Sequence, residues 1–240
     1  VEWTGGPKAT NGAYGVYPVG STNVLIDGVT VRGASDAGVY VVQSKNIIVR
    51  NSLAEFNVAG IEIENSSNAD VYGNTVTHNT GGILVFNMPG LSQQGGNIRV
   101  YDNKVIANNH ENFGAKGTPV ASVPAGSGIV INSNDDIGIF GNGIRDNATA
   151  NIIVSSVYST GYKDSSASPN FDPYPERIYI HGNTLSGGGD SPDGFDLKMM
   201  VECAKLAREL FAQPAFDAYR GAPIHPARDD LSDAELVAFI

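Results

Sequence analysis

Residues 46–65 read NIIVRNSLAEFNVAGIEIEN, from Asn46 to Asn65. The stretch holds a short alternating strand, an Asn turn, a second short strand, another polar turn, and then Gly-Ile-Glu-Ile-Glu. Residues 69–86, ADVYGNTVTHNTGGILVF, repeat the plan. A period near 22 residues with two or three very short strands per period marks a stacked coil, in which each repeat buries its face against its neighbours.

The Gly-plus-apolar strand recurs outward from this stretch. It starts at Gly15, Gly38, Gly60 and Gly82, in steps of 23, 22 and 22 residues, and returns at Gly128 and, without the glycine, at Asn151. A second family of strands includes Val24 to Ile26, Ile47 to Val49, Ala69 to Val71, Ile98 to Val100, Ile137 to Ile139 and Ile178 to Ile180. A third, shorter strand follows each Gly or Asn turn. Alternation with period two predicts that Ile61, Ile63, Ile83, Val85, Ile129, Ile131, Ile152 and Val154 point inward. It predicts that Glu62, Glu64, Leu84, Phe86, Val130 and Asn132 point out to solvent. No segment within the period is long enough for a βαβ crossover helix. An all-β parallel coil of about seven rungs, 22–23 residues each, is therefore expected over residues 1–195. The turn residues Asn51, Asn74, Asn103, Asn142 and Asn183 are expected to form an amide ladder along it. Insertions at Met88 to Gly95 and Ser156 to Glu176 leave one corner of the coil, and His110 to Ala125 leaves another; such loops commonly build a binding face.

The composition narrows the partners. A formal net charge of −10 argues against nucleic acid or an anionic membrane surface. No apolar run reaches the roughly 18 residues of a membrane span. The single cysteine, Cys203, excludes an internal disulfide and leaves the redox compartment open. Val1 to Thr4 reads as the end of an earlier strand. A bare first rung would leave an open sheet edge and predicts self-association there.

The runs GAYGVYPVGSTNVLIDG, ASDAGVYVVQSKNIIVRN, VAGIEIENS, TGGILVFNMPG and DPYPERIYIHGNT resemble the right-handed parallel β-helix repeat proteins of the pectin-lyase-like superfamily. More narrowly, they look like a bacterial exported β-helix family without an assigned activity. The resemblance covers about residues 1–198. It implies a right-handed, single-stranded parallel β-helix in a secreted, periplasmic or cell-envelope protein. Enzymes of the superfamily are lyases, hydrolases or C5-epimerases acting on acidic polysaccharides. The Asp-Pro-His-Glu motif of the alginate epimerases is missing here, so no catalytic residue carries over.

The texture changes after Gly189. Leu197, Met200, Val201, Ala204, Ala207 and Phe211 keep helical spacing over Asp196 to Phe211, and Ser232 to Glu235 reads as a capping box. A short helical tail is expected over residues 196–240. Its run CAKLARELFAQPAFDAYRGAPIHP, followed by LSDAELVAFI, resembles a substrate-domain segment of the glucose-methanol-choline flavin oxidoreductases. The flavin fingerprint and the family's His-Pro-Val-Gly-Thr motif are both missing, so no FAD and no oxidoreductase activity are expected. A fusion of two unrelated pieces joined near Asp193 to Lys198 accounts for the pattern most simply.

Glu62 and Glu64 are the first candidates for chemistry. Two carboxylates about 7 Å apart on one strand suit Ca2+ binding or an acid and base pair, with Asp70 and Glu55 in reach of a cation site. Tyr72, Tyr101, Phe140 and His181 occupy equivalent positions, after Arg50, and form a candidate aromatic strip for sugar rings. Lys104 and Arg145, with Asp146 and His78 nearby, supply the kind of base that a lyase of the superfamily uses. His110, Glu111 and Lys116, and Lys163, Asp164 and Asp172, lie in the insertions. The expected function is polysaccharide binding. A lyase or C5-epimerase acting on an acidic glycan, and a structural module without independent activity, are the alternatives.

Overall fold

The computed structural model divides into two compact units, Val1–Asp190 and Ser191–Ile240. It describes residues 1–160 and 171–189, together with Val201, Lys205, Gln213, Leu231, Ser232 and Glu235. The expected tail helices fall outside the described residues, as do Lys163 and Asp164. Ser232 and Glu235 do make the reciprocal capping contacts: Ser232 N donates to Glu235 Oε2 at 2.9 Å, and Glu235 N donates to Ser232 Oγ at 3.4 Å.

The first unit is a parallel β-helix of three strands per rung. The first rung contains Tyr14–Val16 (β1), Thr22–Asp27 (β2) and Thr30–Arg32 (β3). The second contains Ala37–Val42 (β4), Lys45–Arg50 (β5) and Leu53–Glu55 (β6). The third contains Ala59–Glu64 (β7), Ser67–Tyr72 (β8) and Thr75–Thr77 (β9). The fourth contains Gly81–Phe86 (β10), Gly96–Tyr101 (β11) and Lys104–Ile106 (β12). The fifth contains Ser127–Asn132 (β13), Asp135–Phe140 (β14) and Gly143–Arg145 (β15), and the last contains Ala150–Ser155 (β16), Ile178–His181 (β17) and Thr184–Ser186 (β18). Each rung hands one strand to each of three six-stranded parallel sheets. The first sheet runs β1-β4-β7-β10-β13-β16, the second holds β2 to β17, and the third holds β3 to β18.

Six full rungs lie among the described residues, close to the seven expected. Below them Glu2 bridges to Arg32, and Trp3 packs against the core. The first rung is thus covered on its third-sheet side, while β1 and β2 remain the outermost strands of their sheets among the described residues. The inward prediction holds in the middle rungs, where Ile61, Ile63, Ile83, Val85, Ile129 and Ile131 are fully buried. Val154 is instead 44% exposed, because β16 is the last strand of its sheet among the described residues.

The amide ladder exists, with one correction. Asn74, Asn103, Asn142 and Asn183 are linked, each donating from Nδ2 to the next Oδ1 at 2.9–3.0 Å. Asn51 is not a member. Ser52 takes the ladder position, and its N–H donates to Asn74 Oδ1 at 3.0 Å. Asn51 sits one residue earlier, at φ 52°, in the left-handed column that Gly73, Asp102 and Gly141 fill in later rungs. Asn tolerates that conformation, which explains its presence there. A second buried ladder, Asn57–Asn79–Asn108–Asn147, runs along the corner before the first sheet at 2.9–3.1 Å.

That second ladder explains the glycine column. A Cβ on Gly82 would lie 2.5 Å from Gly128 O and 2.7 Å from Val105 Cγ1. Its neighbours Gly38 and Gly60 face equivalent contacts with the next rung's carbonyl and an Asn amide. In the last described rung Asn151 takes the glycine position, and its Oδ1 accepts from Asn147 Nδ2 at 2.9 Å to close the ladder. Gly82→Ala is therefore expected to cost about 1–3 kcal/mol of unfolding free energy. An unchanged denaturation midpoint would contradict this packing.

Candidate functional site

The outer face of the first sheet is not solvated as the alternation implied. Leu84 is fully buried, Phe86 and Glu62 are 5% exposed, and Val130 is 7% exposed. Leu84, Phe86 and Val130 belong to a second apolar cluster outside the coil, with Val120 and Val123 from the 107–126 insertion and Phe113 packed against it. The insertion folds back over the sheet.

Glu62 and Glu64 stand on β7, beside Tyr40 and Val42 of β4 in register. Tyr40 Oη donates to Glu64 Oε2 at 2.9 Å. Burial, then the neighbouring charges of Glu64 and Asp36, hold the Glu62 carboxyl well above the usual range, and its side chain hydrogen-bonds to Glu64. Burial also raises Glu64, opposed by the hydrogen bonds from Tyr40 and Glu62. Asp36, at the corner before β4, is raised to about 6 by burial and by Glu64, against a hydrogen bond from Tyr14. Tyr14 and Tyr40 are raised too, first by burial and then by the surrounding carboxylates.

The tyrosines form a stack. The rings of Tyr14 and Tyr40 lie 4.7 Å apart, Tyr17 and Tyr40 lie 5.1 Å apart at 8°, and Tyr17 is 48% exposed. Glu62 Oε2 is buried and has no hydrogen-bond partner. The structure therefore gathers three acids and three tyrosines at one place. Only Glu62 and Glu64 were legible as a pair. Tyr17 and Tyr40 carried a readable signal, since Gly15-Val16-Tyr17 and Gly38-Val39-Tyr40 align with Gly60-Ile61-Glu62. Tyr14 and Asp36 arrive from outside that frame.

The other candidates lie elsewhere. Glu55 pairs with Arg32 at 2.5 Å on the third sheet, and Asp70 pairs with Arg99 at 2.6 Å on the second. Neither joins Glu62 and Glu64, because each faces out from a different side of the coil. Among the described residues no group of three or more His, Cys, Asp or Glu side chains is placed to hold a metal ion. Lys104 and Arg145 are on β12 and β15 of the third sheet, not in register with one another, and Arg145 pairs with Asp146 at 2.6 Å. His78 stacks on Phe56 at 5.3 Å. His110 packs edge-on against Phe113 at 5.2 Å. Glu111 and Lys116 are exposed on that insertion, and Asp172 Oδ1 accepts from Tyr174 N at 3.0 Å.

Tyr72, Tyr101, Phe140 and His181 form a continuous stack on the second sheet, at 4.9, 4.9 and 5.1 Å with nearly parallel rings. Arg50 Nη1 donates to Tyr72 Oη at 2.9 Å. Each inner ring spends both faces on its neighbours, so the strip presents edges rather than faces.

Several known proteins are similar. A 45-residue stretch is 51% identical to an oxygen-dependent choline dehydrogenase of Xanthomonas axonopodis pv. citri, covering 19% of this chain and 8% of that protein. Another from Ectopseudomonas mendocina is 54% identical over 45 residues, with the same coverage. The chain thus spans a small fraction of those relatives, and its described residues contain no βαβ unit for a dinucleotide. Among solved structures, the A-module of the mannuronan C-5 epimerase AlgE4 from Azotobacter vinelandii gives a TM-score of 0.46 at 16% identity, over 74% of this chain and 46% of that one. The periplasmic alginate epimerase AlgG, as a point mutant, gives 0.42 at 17% identity, over 72% and 47%. This chain spans less than half the length of each. No helix among the described residues is long and apolar enough to cross a membrane. The family described as "Right handed beta helix region" matches residues 8–170, more than half of the sequence, and the chain belongs to that family.

Proposed function

We propose that this domain binds a polysaccharide on the outer face of its first sheet, at the tyrosine and carboxyl cluster. One observation carries the reading. Three stacked tyrosines, with Tyr17 48% exposed, adjoin a hydrogen-bonded carboxyl pair on the same sheet. Aromatic rings pack on the apolar faces of sugars, and carboxyls fix hydroxyl groups by hydrogen bonds. The extracytoplasmic setting implied by the resemblance belongs to the same proposal.

The test is retention on a panel of immobilised glycans. Tyr17→Ala is expected to weaken binding about tenfold, the loss of one stacked ring, without moving the thermal midpoint. Tyr101→Ala, on the second sheet, is expected to leave binding unchanged. The reverse pattern would move the site to the Tyr72–His181 stack, and retention on no glycan would reject the proposal.

A second reading has its own support. Glu62, raised well above the usual carboxyl range, hydrogen-bonds to Glu64 on the same strand, and such a pair suits the acid and base of a lyase or epimerase. Ultraviolet absorbance of an unsaturated product, with and without Ca2+, separates lyase activity from binding alone; epimerisation needs a product-stereochemistry assay.

A further inference from the structure

We infer that the cluster on the first sheet selects a positively charged glycan, one bearing free amino groups, over neutral or uronate chains. The inference rests on the glycan reading above and names the ligand's chemical class.

The site lacks the cation that its acids call for. Asp36, Glu62 and Glu64 face one another, yet none takes part in any ion pair among the described residues. On the strands of the second and third sheets, five outward acids are answered by arginine from a neighbouring rung. Arg50 serves Asp27, Arg32 serves Glu55, Arg99 serves Asp70, and Arg177 serves Asp135 and Asp136. At Glu62 and Glu64 the rung above offers Leu84 and Phe86 instead. The acids stay short of positive charge.

An independent observation points to a ligand. Glu62 is 5% exposed, and its Oε2 has no hydrogen-bond partner. An unmet buried acceptor is costly, and a ligand N–H satisfies it. An ammonium group brings three donors and one charge, enough to bridge Glu62 and Glu64. The adjacent tyrosine cluster is suited to hold the same cation against a ring, with Tyr17 as an exposed member that contacts both others. A uronate would bring a further acid to a cluster that already holds Asp36, Glu62 and Glu64, and is disfavoured. The overall charge of −10 draws cationic chains toward the surface.

The probes are chitosan oligosaccharides, the same oligosaccharides fully N-acetylated, and oligogalacturonate, titrated calorimetrically at low and high salt. The amino form is expected to bind at least about tenfold more tightly than the acetylated form, the worth of one charge-assisted hydrogen bond. Salt should erode that preference. Binding should also release protons, since Glu62 ionises against the ammonium, so the apparent enthalpy should vary with the buffer's ionisation enthalpy. Glu62→Gln with Glu64→Gln should equalise the amino and acetylated forms, with an unchanged circular dichroism spectrum showing that the variant is folded. Equal affinity in the wild type, or preference for the acetylated form or for oligogalacturonate, overturns the inference and leaves the glycan reading standing. Binding of no oligosaccharide overturns both.

Discussion

Asn108→Leu is expected to lower the unfolding free energy by about 2–4 kcal/mol. Asn108 Oδ1 accepts from Asn79 N at 3.2 Å and from Asn79 Nδ2 at 2.9 Å. Its Nδ2 donates to Asn147 Oδ1 at 3.1 Å and to Val76 O at 3.2 Å. The residue is fully buried. Leucine keeps the volume and removes all four bonds; this strands the Asn79 N–H and leaves Val76 O and Asn147 Oδ1 each one donor short, while Asn79 Nδ2 keeps Ala54 O and Thr77 O. Each stranded buried group costs roughly 1–3 kcal/mol. A domain with ordinary stability of about 5–15 kcal/mol would lose a large share of it. The control is Asn46→Gly. Asn46 belongs to an exposed amide row, where Asn68 Nδ2 donates to Asn46 Oδ1 at 3.3 Å, and glycine accepts its φ of 56°. That change is expected to cost less than about 1 kcal/mol. Guanidinium denaturation measures both. Equal losses at the two sites would reject the claim that the buried ladder stabilises the coil.

The second large effect is on pH. An acid whose proton is held more tightly in the folded than in the unfolded chain adds stability that is full below its unfolded value and is lost as pH rises through its folded value. Asp36 moves from 3.8 to about 6, and Glu62 and Glu64 are both raised from 4.5. Stability should therefore fall from about pH 4 to pH 6 through Asp36, and further through the glutamates. The Asp36 contribution alone is about 3 kcal/mol at 1.36 kcal/mol for each pH unit. Asp27 and Asp136 are lowered by their arginines and act in the opposite sense, but both pairs face water and are screened. The domain should thus be more stable near pH 5 than near pH 8. Glu62→Gln should flatten that slope and raise stability at pH 8, because the amide donates to Glu64 without a charge to bury. Thermal midpoints across pH check this. A wild-type midpoint that climbs from pH 5 to pH 8 would refute the protonated pair.

The Asn ladders show what could be read in advance. Asn74, Asn103, Asn142 and Asn183 were legible because each follows the same strand and turn. Asn51 misled by one position, since Asn serves both as a ladder member and as a left-handed turn residue. Side-chain identity cannot separate the two uses; the turn's register does. The second ladder also left a trace, in the matching spacing of Asn57 to Gly60 and Asn79 to Gly82. The insertion from His110 to Ala125 then separates Asn108 from Gly128 and hides the pattern.

The candidate site divides along the same line. Glu62 and Glu64 were visible as a pair, but their exposure and charge were not. In a coil, contacts between rungs recur at a nearly constant separation in sequence, so periodicity determined the strands, the facing and the stacked interior. Only the tertiary structure decided that the outer face of the first sheet is covered, because the insertion that packs on it has no period. It alone also decided that Asp36 and Tyr14 meet the Glu62–Glu64 pair, while Glu55 and Asp70 turn to arginines on other sheets. Alternation assigns a side chain to the inside or the outside of the coil; which neighbours it meets, and whether water reaches it, depend on chain segments that the repeat does not contain.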